Sequence, residues 1–175
     1  MSKLEKIKAE NQRSSRSVKR WANYRAIGGS IPGTRFLPFK TPLHSHFFNQ
    51  KSNIGPAQFF GVKTLVHYVE QLGKKIGLII DLTATKRYYN SEEWSHLGIE
   101  YVKIECRGNH IHRQRENFEH FVKIVNDFLQ RNIDNENLIG VHCTHGVNRT
   151  GYVICKYLIE QNGWNADDAI SGFFY

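Results

Sequence analysis

Apolar residues recur at intervals of three and four in two stretches of the chain, which is the spacing of one face of an α-helix. The first stretch predicts a helix over residues 57–72, and the second predicts a helix over residues 116–132. Residues 149–162 predict a third helix, and residues 164–175 begin a fourth, for which Asn165 is a suitable N-cap.

Four other stretches have patterns typical of β-strands. Residues 76–83 and 138–143 are nearly continuous apolar runs, which predict buried strands. Residues 101–106 alternate between apolar and polar positions, as a half-covered strand does. Residues 35–39 predict an edge strand, because Pro38 has no N–H to donate to a neighbour. Strands that alternate with helices predict an α/β fold, with a central, mainly parallel sheet flanked by helices.

Asp81 and Cys143 stand at the carboxyl ends of predicted strands. In sheets of this kind, ligands bind outside the carboxyl ends of the strands. This shared position predicts a functional site at that edge of the sheet.

The length of 175 residues suits one domain and is too short for two ordinary ones. Positive charge is concentrated in residues 1–20, which hold seven Lys and Arg against two Glu and predict a mobile basic arm. A solvated tail, a contact with nucleic acid and a nuclear address all remain open for this arm. Residues 21–175 are predicted to form the folded domain.

The composition also limits the compartment. The longest strongly apolar run, Ile76–Ile80, is too short to cross a bilayer, so no membrane partner is predicted, and the N-terminus lacks the apolar core of a secretory signal. Three cysteines without a CxxC pair argue against a disulfide framework and a zinc ribbon. The nucleus or the cytoplasm is therefore expected, with Cys106 and Cys155 as small buried side chains.

The segment "HCTHGVNRTG" places Cys143 and Arg149 on one loop between a strand and a helix. Such a loop can bend into a bowl of inward N–H groups that binds a phosphoryl group, and Gly146 permits the unusual backbone angles. The positive end of the following helix favours a bound anion. The residues predicted to form this phosphate-binding bowl are Thr144, His145, Gly146, Val147, Asn148, Arg149 and Thr150.

Four side chains in or beside the loop have predicted chemical tasks. Cys143 becomes a nucleophile at neutral pH, because the same field lowers its thiol pKa below the usual value of about 8.5. Arg149 can clamp two phosphate oxygens with its planar guanidinium, which a lysine cannot do. The Thr150 hydroxyl can donate a hydrogen bond to the sulfur as it leaves, and His142 could orient the loop from beneath.

The same segment resembles the HCxxGxxR(S/T)G signature of the cysteine-dependent phosphatases, the superfamily of protein tyrosine and dual-specificity phosphatases. Together with "IIDLTATKRYYN" and "IPGTRFLPFKTPL", it is similar to the RNA 5′-triphosphatase branch, which includes the triphosphatase domain of metazoan mRNA capping enzymes. The resemblance extends over residues 21–175 and implies a protein tyrosine phosphatase-like fold. Members of the branch continue beyond "AISGFF", so the C-terminal helices of the domain are expected to be missing from this sequence.

The resemblance implies an enzyme without metal or cofactor that removes the γ-phosphate, and in stand-alone members also the β-phosphate, from RNA 5′ ends through a phosphocysteine. By position it makes Cys143 the nucleophile, Arg149 the phosphate clamp and Asp81 a further carboxylate required for activity. The implied partners are 5′-triphosphorylated or diphosphorylated RNA, and ribonucleoprotein or small-RNA machinery.

The loop "CRGNHIHRQRE" supplies no aspartate to protonate a leaving group, and its first acidic residue is Glu116. A tyrosine phenol leaves with a pKa of about 10, whereas the last pKa of a leaving phosphate is about 6 to 7. The loop therefore favours a phosphoanhydride substrate. His110, His112 and an Asp81 of raised pKa remain alternative acids, and Asp81 could also be only a turn carboxylate.

Other side chains could bind the rest of the substrate, although each is also typical of a solvated charge or of ordinary packing. Residues 87–89, "RYY", could stack on the terminal base. The basic candidates for the remaining phosphates are Arg35, Lys40, Arg87, Arg107, Arg113 and Arg115.

Three other functions remain open. The pairs His44 with His46 and His110 with His112 could bind a metal, although neither has a carboxylate nearby in sequence. A dual-specificity or tyrosine protein phosphatase would use the same loop on a phosphoprotein. An inactive module that binds 5′-phosphorylated RNA is the third alternative, because of the short C-terminus.

Overall fold

Four strands form the central sheet in the computed structural model, which describes residues 20–48, 54–107 and 111–174. The strands are β1 (Phe36–Lys40), β2 (Ile76–Asp81), β3 (Glu100–Lys103) and β4 (Leu138–Cys143). Their order across the sheet is β1-β4-β2-β3, and each neighbouring pair is parallel. The predicted α/β fold with a mainly parallel sheet is confirmed.

β1 lies at the edge of the sheet, as Pro38 predicts. It pairs with β4 in a register that sets Lys40 opposite Cys143. On the other side of β1, the Gly28 N–H donates to the Pro38 carbonyl at 2.8 Å, and the Lys40 N–H donates to the Ala26 carbonyl at 3.0 Å. The chain before β1 therefore covers the outer edge of the sheet beside the loop that follows β4.

Helices cover both faces of the sheet. Those that lie wholly within the described ranges are α1 (Val62–Gln71), α2 (Glu92–His96), α3 (Arg115–Arg131), α4 (Asn148–Glu160) and α5 (Ala166–Phe174). Successive strand residues alternate between two hydrophobic cores, as Ile79 and Ile80 show: one core includes α1 and α2, and the other includes α3, α4 and α5. No helix in these ranges is long and apolar enough to cross a membrane.

The observed elements differ most from the predicted ones at three places. The helix predicted over residues 57–72 begins only at Val62, because Gly61 before it is extended, with φ −110° and ψ 179°. The strand predicted over residues 101–106 stops at Lys103, the last residue that pairs with β2. Helix α2 escapes prediction, because five residues with one buried apolar side chain show no periodicity.

Candidate active site

The loop after β4 turns at Gly146, where the backbone φ is +71°. Its first carbonyls are held from the side, because the Thr41 N–H donates to the carbonyls of Cys143 (3.0 Å) and Thr144 (3.3 Å). The backbone N–H groups of His145 and Thr150 lie within hydrogen-bonding reach of the Cys143 sulfur. The loop thus presents main-chain donors to the thiol from both its start and the first turn of α4.

The surroundings of Cys143 favour its thiolate form. Its side chain is 3% exposed, and burial alone would raise the pKa of the thiol. The Arg149 guanidinium, the Thr150 hydroxyl and the loop amides outweigh burial and lower this pKa below its ordinary value. The Thr150 hydroxyl makes no hydrogen bond of regular geometry within the described part of the chain, so it acts on the sulfur as a nearby dipole.

Arg149 is held by residues that follow two other strands. Its Nη1 donates to the carbonyls of Leu82, after β2 (3.0 Å), and Cys106, after β3 (2.9 Å), and its Nη2 donates to the Thr144 hydroxyl (2.9 Å). The described residues therefore engage three of the five N–H groups of the guanidinium. The side chain is thereby fixed beside Cys143, with donors left to face a bound anion.

Asp81 lies next to His142 in the register of β2 and β4, but its carboxylate is engaged by β3 and by the following turn. Oδ1 accepts the Thr83 N–H (2.7 Å), and Oδ2 accepts from the Tyr101 hydroxyl (2.9 Å) and the Lys103 ammonium (2.9 Å). Burial alone would raise the pKa of Asp81, but the neighbouring His142, the buried Lys103 and the hydrogen bonds from Lys103 and Thr83 lower it. Asp81 is therefore a turn carboxylate and also an ionised partner of Lys103.

His142 is completely buried, and burial lowers its pKa, so the ring is neutral at pH 7. Its Nε2 lies 2.8 Å from the Tyr89 hydroxyl oxygen, whereas that oxygen is 3.4 Å from Asp81 Oδ2. The shorter contact favours donation from Tyr89 to Nε2, which places the ring hydrogen on Nδ1. The buried Nδ1 has no hydrogen-bond partner among the described residues. Tyr89 therefore orients the ring that precedes the nucleophile.

Sequence reasoning missed Lys103, Tyr101 and Tyr89, which complete the surroundings of Asp81. A signal for two of them exists, because Tyr101 and Lys103 are polar residues two positions apart on the predicted strand. Residues at this spacing share one face of a strand, so both can reach the same carboxylate. Tyr89 follows a turn, and nothing in its local pattern indicates its contact with His142.

Two basic residues predicted to bind phosphate are engaged elsewhere. Lys40 is 5% exposed, and its ammonium donates to the carbonyls of Trp21 (3.1 Å) and Tyr24 (2.8 Å). Arg35 donates to the Asn132 carbonyl (2.7 Å), next to the end of β1 that lies away from the loop. These two predictions are wrong, because the side chains bind main-chain carbonyls within the fold.

The remaining basic candidates lie at the surface. Arg115 forms an exposed ion pair with Glu119 along α3, with 2.7 Å between Nε and Oε1. Arg87, Arg107 and Arg113 are exposed, and their contact with substrate stays a prediction.

The base-stacking role predicted for residues 87–89 is wrong. Tyr88 is 4% exposed and Tyr89 is 9% exposed, and both belong to the core beneath α1 and α2. Tyr89 also contacts Trp94 edge to face, with ring centroids 6.0 Å apart. Aromatic residues that pack inside the domain offer no ring face to a nucleotide.

One of the two predicted histidine pairs, His44 with His46, lies wholly within the described residues. The Nδ1 atoms of His44 and His46 lie 2.9 Å apart at the surface. No group of three or more His, Cys, Asp or Glu that could hold a metal occurs among the described residues. His110 lies outside the described residues.

The other two cysteines occupy packing positions. Cys106 is fully buried, and burial raises the pKa of its thiol to about 11. Cys155 is half-buried, its sulfur donates to the Ala169 carbonyl at 3.4 Å, and burial raises its pKa as well. Burial thus raises the pKa of both thiols, whereas the surroundings of Cys143 lower the pKa of its thiol.

Replacing Gly146 by alanine is expected to lower the free energy of unfolding by about 3 kcal/mol and to abolish turnover. A Cβ at this position would collide with the Phe39 carbonyl and lie 2.7 Å from the Lys40 backbone nitrogen. Those atoms belong to β1 and cannot move away as a flexible side chain could. Urea unfolding and a phosphatase assay would measure the two effects.

Gly33→Ala is the matched control, because Gly33 has a similar φ of +72° and an added methyl group there would meet no atom within 4 Å. This variant is expected to lower the free energy of unfolding by only about 1 kcal/mol, from the left-handed backbone conformation alone, and to keep its turnover. Equal destabilisation by the two variants would contradict the steric role of β1 beneath the loop.

A parallel α/β sheet with a thiolate-forming Cys and an Arg on one loop at its carboxyl edge is the arrangement of a cysteine-dependent phosphatase. The model of the family "Dual specificity phosphatase, catalytic domain" matches residues 58–173. The chain belongs to this family, as the resemblance of its loop predicts.

Relatives and one solved structure agree with this assignment. The RNA/RNP complex-1-interacting phosphatase homolog of Caenorhabditis elegans is 47% identical over 156 residues, which are 89% of this chain and 66% of that protein. The mRNA-capping enzyme of Mus musculus is 37% identical over 154 residues, 88% of this chain and 25% of that protein. The crystal structure of PTPMT1 has the same fold, with a TM-score of 0.55 and 17% identity over 83% of this chain and 79% of that one.

The chain spans less than two thirds of the length of these two relatives. Their similarity confirms the resemblance to the branch that includes mRNA capping enzymes. The class of the protein is therefore established as a phosphatase domain of the dual specificity family.

Proposed function

We propose that this domain removes the γ-phosphate, and then the β-phosphate, from RNA 5′ ends through a phosphocysteine on Cys143. The observation that carries the proposal is the state of Asp81, the carboxylate that the fold brings beside His142 and the loop. Its pKa is lowered and its oxygens are bound by Thr83, Tyr101 and Lys103. Asp81 therefore has no proton to give to a leaving group, and the loop after β3 contains no aspartate.

A site without a carboxylic acid favours a substrate whose leaving group departs as an anion. A terminal phosphate that leaves from an anhydride releases a second phosphate with a last pKa of about 6 to 7, whereas a tyrosine phenol has a pKa of about 10. A difference of about three to four pKa units corresponds to about 4 to 5 kcal/mol if it is fully expressed in the barrier. The names of the relatives, which refer to RNA/RNP complexes and mRNA capping, support RNA as the carrier of that anhydride.

The reaction uses residues of the loop in two steps. The Cys143 thiolate attacks the terminal phosphorus, an S–P bond forms, and the P–O bond to the next phosphate breaks with its electron pair on the departing oxygen. The loop amides and the remaining N–H groups of Arg149 hold the non-bridging oxygens as charge develops on them. Water then attacks the phosphocysteine and releases inorganic phosphate, while the Thr150 dipole stabilises the departing thiolate.

Asp81 serves this reaction as a positioning residue. Its ionised carboxylate holds Lys103 and the Thr83 turn, next to the Leu82 carbonyl that accepts from Arg149. No metal and no cofactor takes part in the proposed reaction. RNA 5′ ends, ribonucleoprotein or small-RNA machinery, and a nuclear or cytoplasmic location follow from the same proposal.

A dual-specificity protein phosphatase is the second candidate function. The match of residues 58–173 to the dual specificity catalytic domain favours it, because the same loop serves phosphoprotein substrates. The two functions differ in the leaving group, so one comparison separates them.

The comparison is kcat/KM for release of phosphate from 5′-triphosphorylated RNA against that for a phosphotyrosine peptide, both in excess EDTA. We expect the RNA to be preferred by about 100-fold or more, since about three pKa units separate the leaving groups. EDTA is expected to leave the rate on RNA unchanged.

A preference for the peptide would move the assignment to the protein phosphatase. Loss of activity in EDTA, restored by a divalent metal, would contradict the phosphocysteine route. Tight binding of triphosphorylated RNA without any release of phosphate would instead identify the inactive binding module.

A further inference from the structure

An aromatic pair borders the phosphate-binding loop on the side of the N-terminal segment. The Tyr24 ring stacks on the His145 ring, with centroids 4.6 Å apart and planes inclined by 21°. His145 is the second residue after the nucleophile, so its Cα lies within about 8 Å of that of Cys143, or two Cα–Cα steps. Tyr24 remains 38% exposed, so part of its ring is open to solvent.

Tyr24 is fixed in this position by contacts to the main chain and by a buried charge. The Lys40 ammonium donates to the carbonyls of Trp21 and Tyr24 and lies 3.5 Å from the centroid of the Trp21 ring. The Trp21 indole N–H donates to the Thr41 carbonyl at 2.7 Å. Because Lys40 pairs with Cys143 in the sheet, the segment that carries Tyr24 is tied to the strand that carries the nucleophile.

Burying the Lys40 ammonium without a carboxylate partner costs free energy, which indicates that the position of this segment is important for the site. Burial lowers the pKa of Lys40 to about 8. No carboxylate pairs with this ammonium in the described part of the chain, and carbonyls and the Trp21 ring take its place. The result is a preorganised aromatic surface, in contrast to a side chain on a loose loop.

The electrostatic surroundings suit a nucleic acid. Arg25, the exposed neighbour of Tyr24, lines a hollow of about 120 Å³ together with His145 and Gly146 of the loop. Bases that are unstacked from RNA bind on Tyr, His and Arg surfaces, and every base has a π face to offer. Stacking of this kind tolerates any base, as an enzyme that acts on many RNA 5′ ends requires.

We propose that the Tyr24–His145 stack is the binding subsite for the first nucleobase of the RNA substrate, with the exposed part of the Tyr24 ring as its platform. The inference rests on the proposed function, because it assigns a subsite to the RNA whose terminal phosphate enters the loop. It replaces the platform that the sequence placed at residues 87–89, which is buried.

The test compares two substrates with the same anhydride, one of which has no base. The measured quantity is the ratio of kcat/KM on a 5′-triphosphorylated RNA oligonucleotide to kcat/KM on inorganic tripolyphosphate. Tyr24→Ala is expected to lower this ratio about tenfold, the effect of losing one stacked base. Tyr24→Leu keeps apolar volume against His145 and is expected to lower the ratio as well, whereas Tyr24→Phe keeps the ring and the ratio.

Tyr68→Ala is the matched control, because Tyr68 on α1 is similarly exposed, at 43%, and lies outside the site. Equal losses on both substrates in the Ala and Leu variants would overturn the inference, since Tyr24 would then only support the loop. An unchanged ratio in either folded variant would also overturn it. If the wild type cleaved a phosphotyrosine peptide but not triphosphorylated RNA, the proposed function itself would fail, and this inference with it.

Discussion

Cys143→Ser is expected to lower kcat on triphosphorylated RNA by about 10⁴-fold or more, because a serine hydroxyl is not ionised at neutral pH. Arg149, the Thr150 hydroxyl and the loop amides lower the pKa of the thiol. The same surroundings cannot bring an alcohol, whose pKa is far higher, into its anionic form. Single-turnover kinetics would measure the loss, and acid quenching with labelled γ-phosphate would trap the phosphocysteine on the wild type alone.

RNA binding by Cys143→Ser is expected to survive, because serine preserves the loop and the guanidinium that bind the phosphate. Cys155→Ser is the matched control, since a hydroxyl there can still donate to the Ala169 carbonyl, and its kcat should equal that of the wild type. Turnover by Cys143→Ser within tenfold of the wild type would contradict the mechanism. So would a wild type that forms no labelled intermediate.

Arg149→Lys is expected to lower kcat by about 10³-fold, even though it keeps the positive charge. The guanidinium donates to Leu82, Cys106 and Thr144 at the same time and still has N–H groups for phosphate oxygens. A lysine ammonium has three donors on one atom and cannot span these acceptors and the substrate together. Steady-state kinetics on triphosphorylated RNA would measure the loss.

Arg131→Lys provides the control for this substitution. Arg131 also uses its fork, with Nη1 and Nη2 at 2.8 Å and 2.9 Å from the two oxygens of Glu100, but the pair is exposed and distant from the loop. Its kcat is expected to stay at the wild-type value.

A second measurement on the Arg149 position follows the rate of Cys143 alkylation against pH. Arg149→Met is expected to raise the apparent pKa of the Cys143 thiol. An Arg149→Lys enzyme with wild-type kcat would show that charge alone suffices.

These substitutions test a site whose parts come from separate strands. The nucleophile ends β4, the carbonyls that hold Arg149 follow β2 and β3, and the backbone that forces a glycine at position 146 belongs to β1. A change in any of these segments therefore reaches the guanidinium or the loop. Because the parts act together, their effects on kcat are not expected to add.

Local patterns predicted the individual strands well, because the signals for each strand lie in neighbouring residues. Pro38 marks an edge strand through its missing N–H, and the apolar run before Cys143 marks a buried strand. The ends of elements were predicted less well, because tertiary contacts decide them. β3 stops at Lys103 where its pairing with β2 stops, and no property of residues 104–106 announces this.

The hypothesis of an aromatic platform at residues 87–89 failed for a related reason. Two adjacent tyrosines after a turn can face solvent or the core, and the local sequence is compatible with both orientations. In the fold, Tyr88 and Tyr89 fill the space beneath α1 and α2, and the hydroxyl of Tyr89 bonds His142. The aromatic pair next to the loop joins the exposed Tyr24 to the partly buried His145, and these two residues lie far apart in the chain.

The sequence alone was sufficient to predict that Cys143, Arg149 and a turn at Gly146 lie on one short loop, because these residues are close together in the chain. It was not sufficient to say whether Asp81 carries a proton. That depends on Lys103 and Tyr101 from the neighbouring strand, and on a burial that only the packed domain creates. Protonation follows charge and solvent in three dimensions, so the ionised state of Asp81 could be recognised only once the chain had folded.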